Sequence, residues 1–202
     1  MDQTILPKVR AAKAAEVCKH FELNDDARRL LRDGLSPREF VEVLLTNRQG
    51  QTAIQFMAHA LPPREAIWWG CLCLEHVNQQ KWSPLEKEAC KAVVRWVLEP
   101  NEENRQATKA PGEAAGAGTP AGSLALATSW TGGSMTAANL PPVAPGPYLP
   151  AKGVAAAVGL AAVKAEPTKI ADTQRRFVEL ALEVAQGGLT WPDSKKITLP
   201  RI

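Results

Sequence analysis

Residues Arg64–Asn78 constrain the fold more than any other segment, because their apolar side chains recur around the whole circumference of a helix. A helix without a polar face needs packing partners on several sides. We therefore predict that this segment is a helix at the centre of a helical domain. Its apolar positions fall on two sides, with Ile67, Trp68, Cys71 and Leu74 on one and Trp69, Cys73 and Val77 on the other.

Two helix starts share one pattern, Ser36-Pro37-Arg38-Glu39 and Ser83-Pro84-Leu85-Glu86. The serine suits the N-cap, the proline the first helical position and the glutamate the third, which together make a capping box. Asn24 is predicted to cap a third helix over Asp25–Arg32, which Gly34 closes. Only 5% of the residues are aromatic, and tryptophan is the commonest of them, which favours helix packing over strand-rich folds. The predicted fold class is all-α, an irregular multi-helix domain of about eight to ten short helices.

The second half of the chain is poor in charge. Between Glu113 and Lys164 the only charged residue is Lys152, in a stretch rich in alanine, glycine and proline. We predict an Ala/Gly/Pro-rich layer in which small side chains let helices approach closely. Pro111-Gly112 is expected to interrupt or kink a helix that begins at Glu102. Further helices are predicted over 120–130, 150–164 and 167–186, with a proline-rich loop at 140–150.

Residues 1–188 are predicted to form a single helical domain, with sub-halves 1–105 and 106–188, followed by an extended tail at 189–202. Pro192 and Pro200 disfavour a helix in this tail. Large apolar side chains are unusual in a disordered tail, so we expect it to dock either on its own domain or on a partner. The predicted partner-binding residues are Trp191, Ile197, Leu199 and Ile202.

Charge and hydropathy exclude several classes of protein. The chain has 24 basic and 21 acidic residues, and a net charge of +3 is too small for a nucleic-acid-binding footprint. The longest nearly uncharged apolar run, Gly153–Val163, is far shorter than the roughly 20 residues of a membrane span. Met1–Lys19 lacks the apolar core of a secretion signal, and the four cysteines do not make a disulfide framework. We expect a cytoplasmic protein without a cofactor or metal.

Cys73 and His76 share one face of the predicted central helix and suggest two kinds of chemistry. A zinc site would use Cys71 and Cys90 as well, with His59 nearby in sequence, but Cys71 lies about 160° from Cys73 around the helix. A catalytic thiolate needs partial exposure and a positive environment, which an apolar helix does not supply. Core packing of the thiols is therefore the preferred interpretation.

Two other motifs are consistent either with a ligand pocket or with a purely structural role. Trp68-Trp69 more naturally join two packing layers than line a pocket. Trp130-Thr131-Gly132-Gly133-Ser134 lacks the Gly-Lys-Ser/Thr pairing of a P-loop and suits a helix end followed by a turn. Its two glycines would nevertheless let the backbone of a partner approach closely. The residues predicted for a pocket are Trp69, Cys73, His76, Trp130, Gly132 and Gly133.

Several motifs resemble, in order and spacing over residues 40–190, a family of uncharacterised bacterial all-helical domain proteins. They are Leu61-Pro62-Pro63-Arg64-Glu65-Ala66-Ile67-Trp68-Trp69-Gly70-Cys71-Leu72-Cys73, Glu103-Asn104-Arg105, Pro120-Ala121-Gly122, Trp130-Thr131-Gly132-Gly133-Ser134 and Pro141-Pro142-Val143-Ala144-Pro145. The resemblance implies no established activity. It associates the chain with type VI secretion gene neighbourhoods.

The expected function is that of a non-catalytic module for interaction with another protein, such as an accessory or adaptor of a secretion system. The alternative is an enzyme or a small-molecule-binding domain with its site between the two helical halves. An enzyme should gather titratable side chains in one concave pocket, whereas an adaptor should expose an apolar patch.

Overall fold

The computed structural model describes residues 5–77, 82–136 and 140–189. Within these ranges the chain forms eleven helices and no strand, which confirms the all-α prediction. The helices are α1 (Ala14–Cys18), α2 (Asp25–Leu30), α3 (Pro37–Thr46), α4 (Gly50–Ala60), α5 (Pro63–Glu75), α6 (Pro84–Leu98), α7 (Glu102–Gln106), α8 (Lys109–Ala115), α9 (Pro120–Ser129), α10 (Leu149–Ala165) and α11 (Ile170–Ala185).

Helix α5 lies at the centre of the packing, as its apolar circumference predicts. Every residue from Ala66 to Leu74 is buried. Helices α6, α9, α10 and α11 all pack against it. The two halves of the chain therefore meet at α5, because α9, α10 and α11 come from the second half.

The two predicted capping boxes are both present. The Ser36 hydroxyl accepts a hydrogen bond from the Glu39 amide at 3.3 Å, and the Glu39 carboxylate accepts one from the Ser36 amide at 2.8 Å. Ser83 makes the same reciprocal pair at the start of α6. Asn24 caps α2, but α2 ends at Leu30, so Gly34 with its positive φ of 88° lies in the following turn and does not close the helix.

The prediction that Pro111-Gly112 interrupts a helix is wrong. The chain breaks earlier, between α7 and α8, and Thr108 becomes the N-cap residue of α8. Pro111 then falls in the first turn of α8, where a missing backbone N–H removes no intrahelical hydrogen bond. The first such bond runs from the Gly112 amide to the Thr108 carbonyl at 3.0 Å.

Small side chains bring α9 and α10 together. A Cβ atom built on Gly153 would lie 2.7 Å from the Cβ atom of Ala127, which is closer than non-bonded carbon atoms approach each other. Glycine is therefore required at this crossing. No helix in the part of the chain that the structure describes is long and apolar enough to cross a membrane.

The N-terminal segment, up to the start of α1, is bonded to α11, to α5 and to the turn before α3. The Lys8 amide donates to the Ala185 carbonyl at the end of α11 at 3.0 Å, and the Lys8 ammonium pairs with Glu65 at 3.2 Å. The Ala14 amide donates to the Leu35 carbonyl at 2.8 Å. These contacts hold the segment beside the corner between α4 and α5.

Candidate functional site

A groove of about 520 Å³ lies where this N-terminal segment, the α4–α5 corner and the residue before α10 meet. We call it the His–Tyr groove. It contains two of the three histidines of the chain and its single tyrosine. The lining side chains used below are Arg10, Glu16, His20, His59, Pro62 and Tyr148.

Four aromatic rings pack in sequence beside the groove. His20 stacks on Tyr148 with a centroid distance of 4.1 Å and an interplanar angle of 16°, and Phe21 stacks on His59 at 4.8 Å. His59 and Tyr148 join the two stacks, with centroids 6.1 Å apart. The Tyr148 hydroxyl also lies 3.3 Å from Nε2 of His20. The proline-rich loop thus places Tyr148 next to His20, which lies 128 positions earlier in the sequence.

His59 has one nitrogen that is used and one that is not. Its Nδ1 atom lies 2.8 Å from the Gln55 carbonyl, and because a carbonyl only accepts, Nδ1 must carry the hydrogen. In the neutral ring Nε2 is then an acceptor, and it is buried without a partner among the described residues. Burial lowers the pKa of His59, and the charges of His20 and Lys152 lower it further, against the opposing hydrogen bond to Gln55. The ring is therefore neutral at pH 7 and Nε2 is free to accept.

His59 lines a second cavity as well as the groove. This neighbouring space of about 500 Å³ is also bordered by Phe21, Gln55 and Lys152. The His59 ring thus borders both the groove and this cavity, while its Nε2 atom is buried. Leaving a buried acceptor unpaired costs about 1–3 kcal/mol, so a ligand that pairs with Nε2 would recover that free energy.

The rest of the groove is rigid or charged. Pro62 has an extended backbone with φ −58° and ψ 153°, and Pro63 follows it as the first residue of α5. Arg10 and Glu16 place one charge of each sign along the N-terminal side. The groove therefore combines stacking surfaces, one unpaired acceptor and a polar edge.

The pocket residues predicted on α5 lie in the core. Trp69 and Cys73 are completely buried, and the Trp69 indole donates to the Phe177 carbonyl at 2.7 Å. His76 caps the end of α5 and contacts the Phe177 ring at a centroid distance of 5.5 Å. Burial raises the pKa of the Cys73 thiol well above its usual value, so this thiol is protonated and is not a ready nucleophile.

Trp130, Gly132 and Gly133 have different neighbours, at the end of α9. Trp130 borders a cavity of about 200 Å³ together with Arg105. Gly133 has a positive φ of 59° and lies against Arg105 and Glu102. The structure thus places the six predicted pocket residues in two groups, and none of the six lines the His–Tyr groove.

Arg105 holds this second group in place. It is only 4% exposed, and its guanidinium donates to both carboxylate oxygens of Glu102, at 2.7 and 2.6 Å, and to the Ser129 carbonyl. Hydrogen bonds from Arg105 and Gln106 lower the pKa of Glu102 to about 2. Since its charge is matched by Glu102, Arg105 serves to fix the turn after α9.

The cysteines do not converge on a metal site. No group of three or more histidine, cysteine, aspartate or glutamate side chains in the described ranges is placed to hold a metal ion. Desolvation raises the pKa of Cys18 to about 11 and that of Cys90 to about 12, the latter also through Glu75. These thiols are protonated at neutral pH.

The partner-binding residues predicted in the tail, Trp191, Ile197, Leu199 and Ile202, lie outside the described residues. Their role remains a prediction.

Sequence reasoning missed most of the groove. The sequence suggests His59 only as a possible metal ligand, and Arg10, Glu16, His20 and Tyr148 are not among the predicted site residues. The one available signal was that the only tyrosine of the chain closes the proline-rich loop directly before a helix.

A family model for a family of unknown function, DUF6931, matches residues 40–185. No curated protein and no solved structure matches the chain. His59 and Tyr148 fall inside the matched range, whereas Arg10, Glu16 and His20 precede it. Because the match spans well over half of the chain, the protein belongs to the family of unknown function DUF6931.

Proposed function

We propose that this protein is a non-catalytic interaction module that takes a short segment of a partner protein into the His–Tyr groove, anchored by a tryptophan side chain. The observation that carries the proposal is the buried, unpartnered Nε2 atom of His59 beside the stacked rings of His20 and Tyr148.

Tryptophan suits this site for two reasons. Its indole N–H is a donor only, which complements an acceptor that has no other partner. Its large flat ring suits the ring faces that border the groove, and tryptophan is among the residues that most often dominate binding energy at protein interfaces. A volume of about 520 Å³ holds one such side chain with the chain on either side of it.

A binding role is favoured over catalysis by the state of the strongest nucleophiles. The thiols of Cys71 and Cys73 are completely buried, and burial raises the pKa of each well above its usual value. Neither cysteine lines the groove. The groove itself offers stacking, hydrogen bonding and charge, which are the elements of recognition.

The class of partner follows from the motif resemblance described above. A component of a type VI secretion system is the proposed partner, with this protein acting as an accessory or adaptor in the cytoplasm. Co-purification of this chain with products of neighbouring genes, lost when the groove is altered, would support this assignment.

The anchor chemistry can be tested with N-acetyl-tryptophanamide, titrated into the full chain while the ring signals of His20 and His59 are followed by NMR. We expect saturable shifts that the 1-methylindole analogue, which lacks the N–H donor, does not produce. His59→Phe keeps a ring against Phe21 and removes the acceptor, so it should abolish the shifts of His20. The matched control is His76→Phe, which makes the same change outside the groove and should leave binding intact.

Two results would overturn the proposal. Equal binding of the methylated and unmethylated probes would show that the His59 acceptor is not used. Unchanged binding by the His59→Phe variant would place the probe elsewhere.

A further inference from the structure

We propose that residues 140–147 form a second interaction surface, a preformed extended ligand for a partner domain whose groove is lined with aromatic side chains. We call these residues the proline strip. None of them lines the His–Tyr groove, so this inference goes beyond the proposed function and does not depend on it. It gives a role to the proline-rich motif that the groove does not use.

The proline strip lies on the surface and belongs to neither a helix nor a strand. Only Pro145 among its residues is half-buried, and the others are exposed. Leu140 is 54% exposed and Val143 is 48% exposed, which is unusual for large apolar side chains. The strip carries no charged residue, which argues against nucleic acid or an anionic lipid as the partner. Exposed prolines with aliphatic side chains are the ligands that aromatic-lined grooves bind.

The sequence restricts the backbone of the strip at nearly every position. Proline holds its own φ at about −65° and disfavours the helical conformation in the residue before it. Every residue from 140 to 147 except Val143 either is a proline or precedes one. The strip therefore favours the polyproline II conformation, which has about three residues per turn and no internal hydrogen bonds.

Hydrogen bonds from the turn after α9 fix the one residue that the prolines leave free. The Val143 amide donates to the Ser134 hydroxyl at 3.0 Å, and the Val143 carbonyl accepts from the Met135 amide at 2.8 Å. The Thr136 hydroxyl donates to the Pro141 carbonyl at 2.8 Å. Because ordering a flexible ligand costs binding free energy, a strip held in place by the domain should bind more tightly than the same sequence in a free peptide.

The spacing of the prolines matches the way such a groove recognises its ligand. Pro141-Pro142 and Ala144-Pro145 are two pairs that each end in proline, three positions apart. At about three residues per turn, the two pairs fall on the same side of a polyproline II helix. This is the Pro-x-x-Pro arrangement that SH3 domains bind in an aromatic-lined groove. The carbonyls of Pro142 and Ala144 accept no hydrogen bond from the described residues, so they remain for donors of the partner.

Titration of the full chain into an isotope-labelled SH3 domain, followed by NMR, tests the surface. The probe is a purified domain that binds Pro-x-x-Pro peptides. We expect saturable shifts of the residues that line its aromatic groove, reversed by added poly-L-proline. The dissociation constant should be several-fold lower for the full chain than for a free peptide of residues 140–147, because the peptide must be ordered on binding.

Three variants separate contact from positioning. Pro142→Ala combined with Pro145→Ala removes the ring that ends each pair and should abolish the shifts. Pro147→Ala, an exposed proline outside the two pairs, is the matched control and should bind like the wild type. Ser134→Ala removes the acceptor of the Val143 amide and leaves every proline in place, so its binding should weaken towards that of the free peptide. Circular dichroism should show unchanged helix content in all three, because no substituted residue belongs to a helix.

Several results would overturn the inference. A full chain that does not shift the groove residues of the probe, even at millimolar concentration, would show that the strip is not a polyproline II ligand. Equal binding by the wild type and the double proline variant would place the contact elsewhere on the chain. Equal binding by the full chain and the free peptide would show that the hydrogen bonds to Ser134 and its neighbours do not preform the strip.

Discussion

The indole N–H of Trp69 donates to the backbone carbonyl of Phe177 at 2.7 Å, inside the core and across 108 positions of sequence. It connects the central helix α5 with the last helix, α11. The neighbouring Trp68 is equally buried, but its indole nitrogen has no hydrogen-bond partner among the described residues. Two adjacent tryptophans therefore differ in one interaction.

This difference predicts unequal costs for the same substitution. Trp69→Phe and Trp68→Phe remove the same volume, but only the first removes a hydrogen bond, and the second removes an unsatisfied donor. We expect the free energy of unfolding to fall by about 1 kcal/mol more in Trp69→Phe. Urea denaturation followed by circular dichroism measures both values, and equal losses would mean that the bond to Phe177 contributes nothing.

Two glycines on α10 should respond in opposite directions to alanine. In Gly153→Ala the new methyl group would meet the Cα atom of Ala127 at 3.2 Å and its Cβ atom at 2.7 Å, and neither atom can rotate away. We expect a loss of about 1–3 kcal/mol from overpacking. Gly159→Ala meets only the end of the exposed Gln51 side chain, so the gain in helix propensity, about 0.5–1 kcal/mol, should dominate. Thermal unfolding of the pair tests this, and similar shifts in both variants would contradict the close crossing of α9 and α10.

The Gly132-Gly133 pair offers a comparable contrast. Gly133 has a φ of 59°, and a Cβ atom there would lie 2.7 Å from Glu102 Oε1 and against the Arg105 guanidinium. Gly133→Ala should cost about 1–2 kcal/mol from the backbone alone. Gly132→Ala, whose nearest neighbour is the Arg105 Cδ atom at 4.0 Å, should be nearly neutral. If Gly133→Ala were instead neutral in chemical denaturation, Arg105 would not be holding this turn.

The parts of the fold that sequence predicts are those set by local chemistry. A serine, a proline and a glutamate at fixed spacing satisfy the first turns of α3 and α6 without help from elsewhere. The central place of α5 follows from its lack of a polar face. The predicted position of the break before α8 is wrong because the effect of Pro111 depends on its distance from the start of the helix, which the residue type alone does not give.

The groove could not be predicted because its parts are distant in sequence. His20, His59 and Tyr148 come from three segments, and their meeting depends on how α10 packs against α4. No single segment has a pattern that records this packing. The six residues of the predicted pocket lie in two different places for the same reason, because spacing along α5 does not show whether the end of α9 lies near it.

Glu75, in the last turn of α5, gives the pH dependence to test. Its Oε1 atom is buried without a hydrogen-bond partner among the described residues, and desolvation raises its pKa to about 7 from an ordinary value of 4.5. Between these two values the folded state holds a proton that the unfolded chain has released. The contribution of Glu75 to stability is therefore fully present below pH 4.5, falls as the pH rises towards 7 and stays lost above it.

Glu75→Gln removes the charge and keeps the shape of the side chain. The substitution should therefore raise the melting temperature at pH 8 by a few degrees more than it does at pH 4.5. Calorimetry at the two pH values measures this, and the low-pH comparison is the control for packing changes. An equal effect of the substitution at both pH values would show that the carboxylate is solvated in the folded protein.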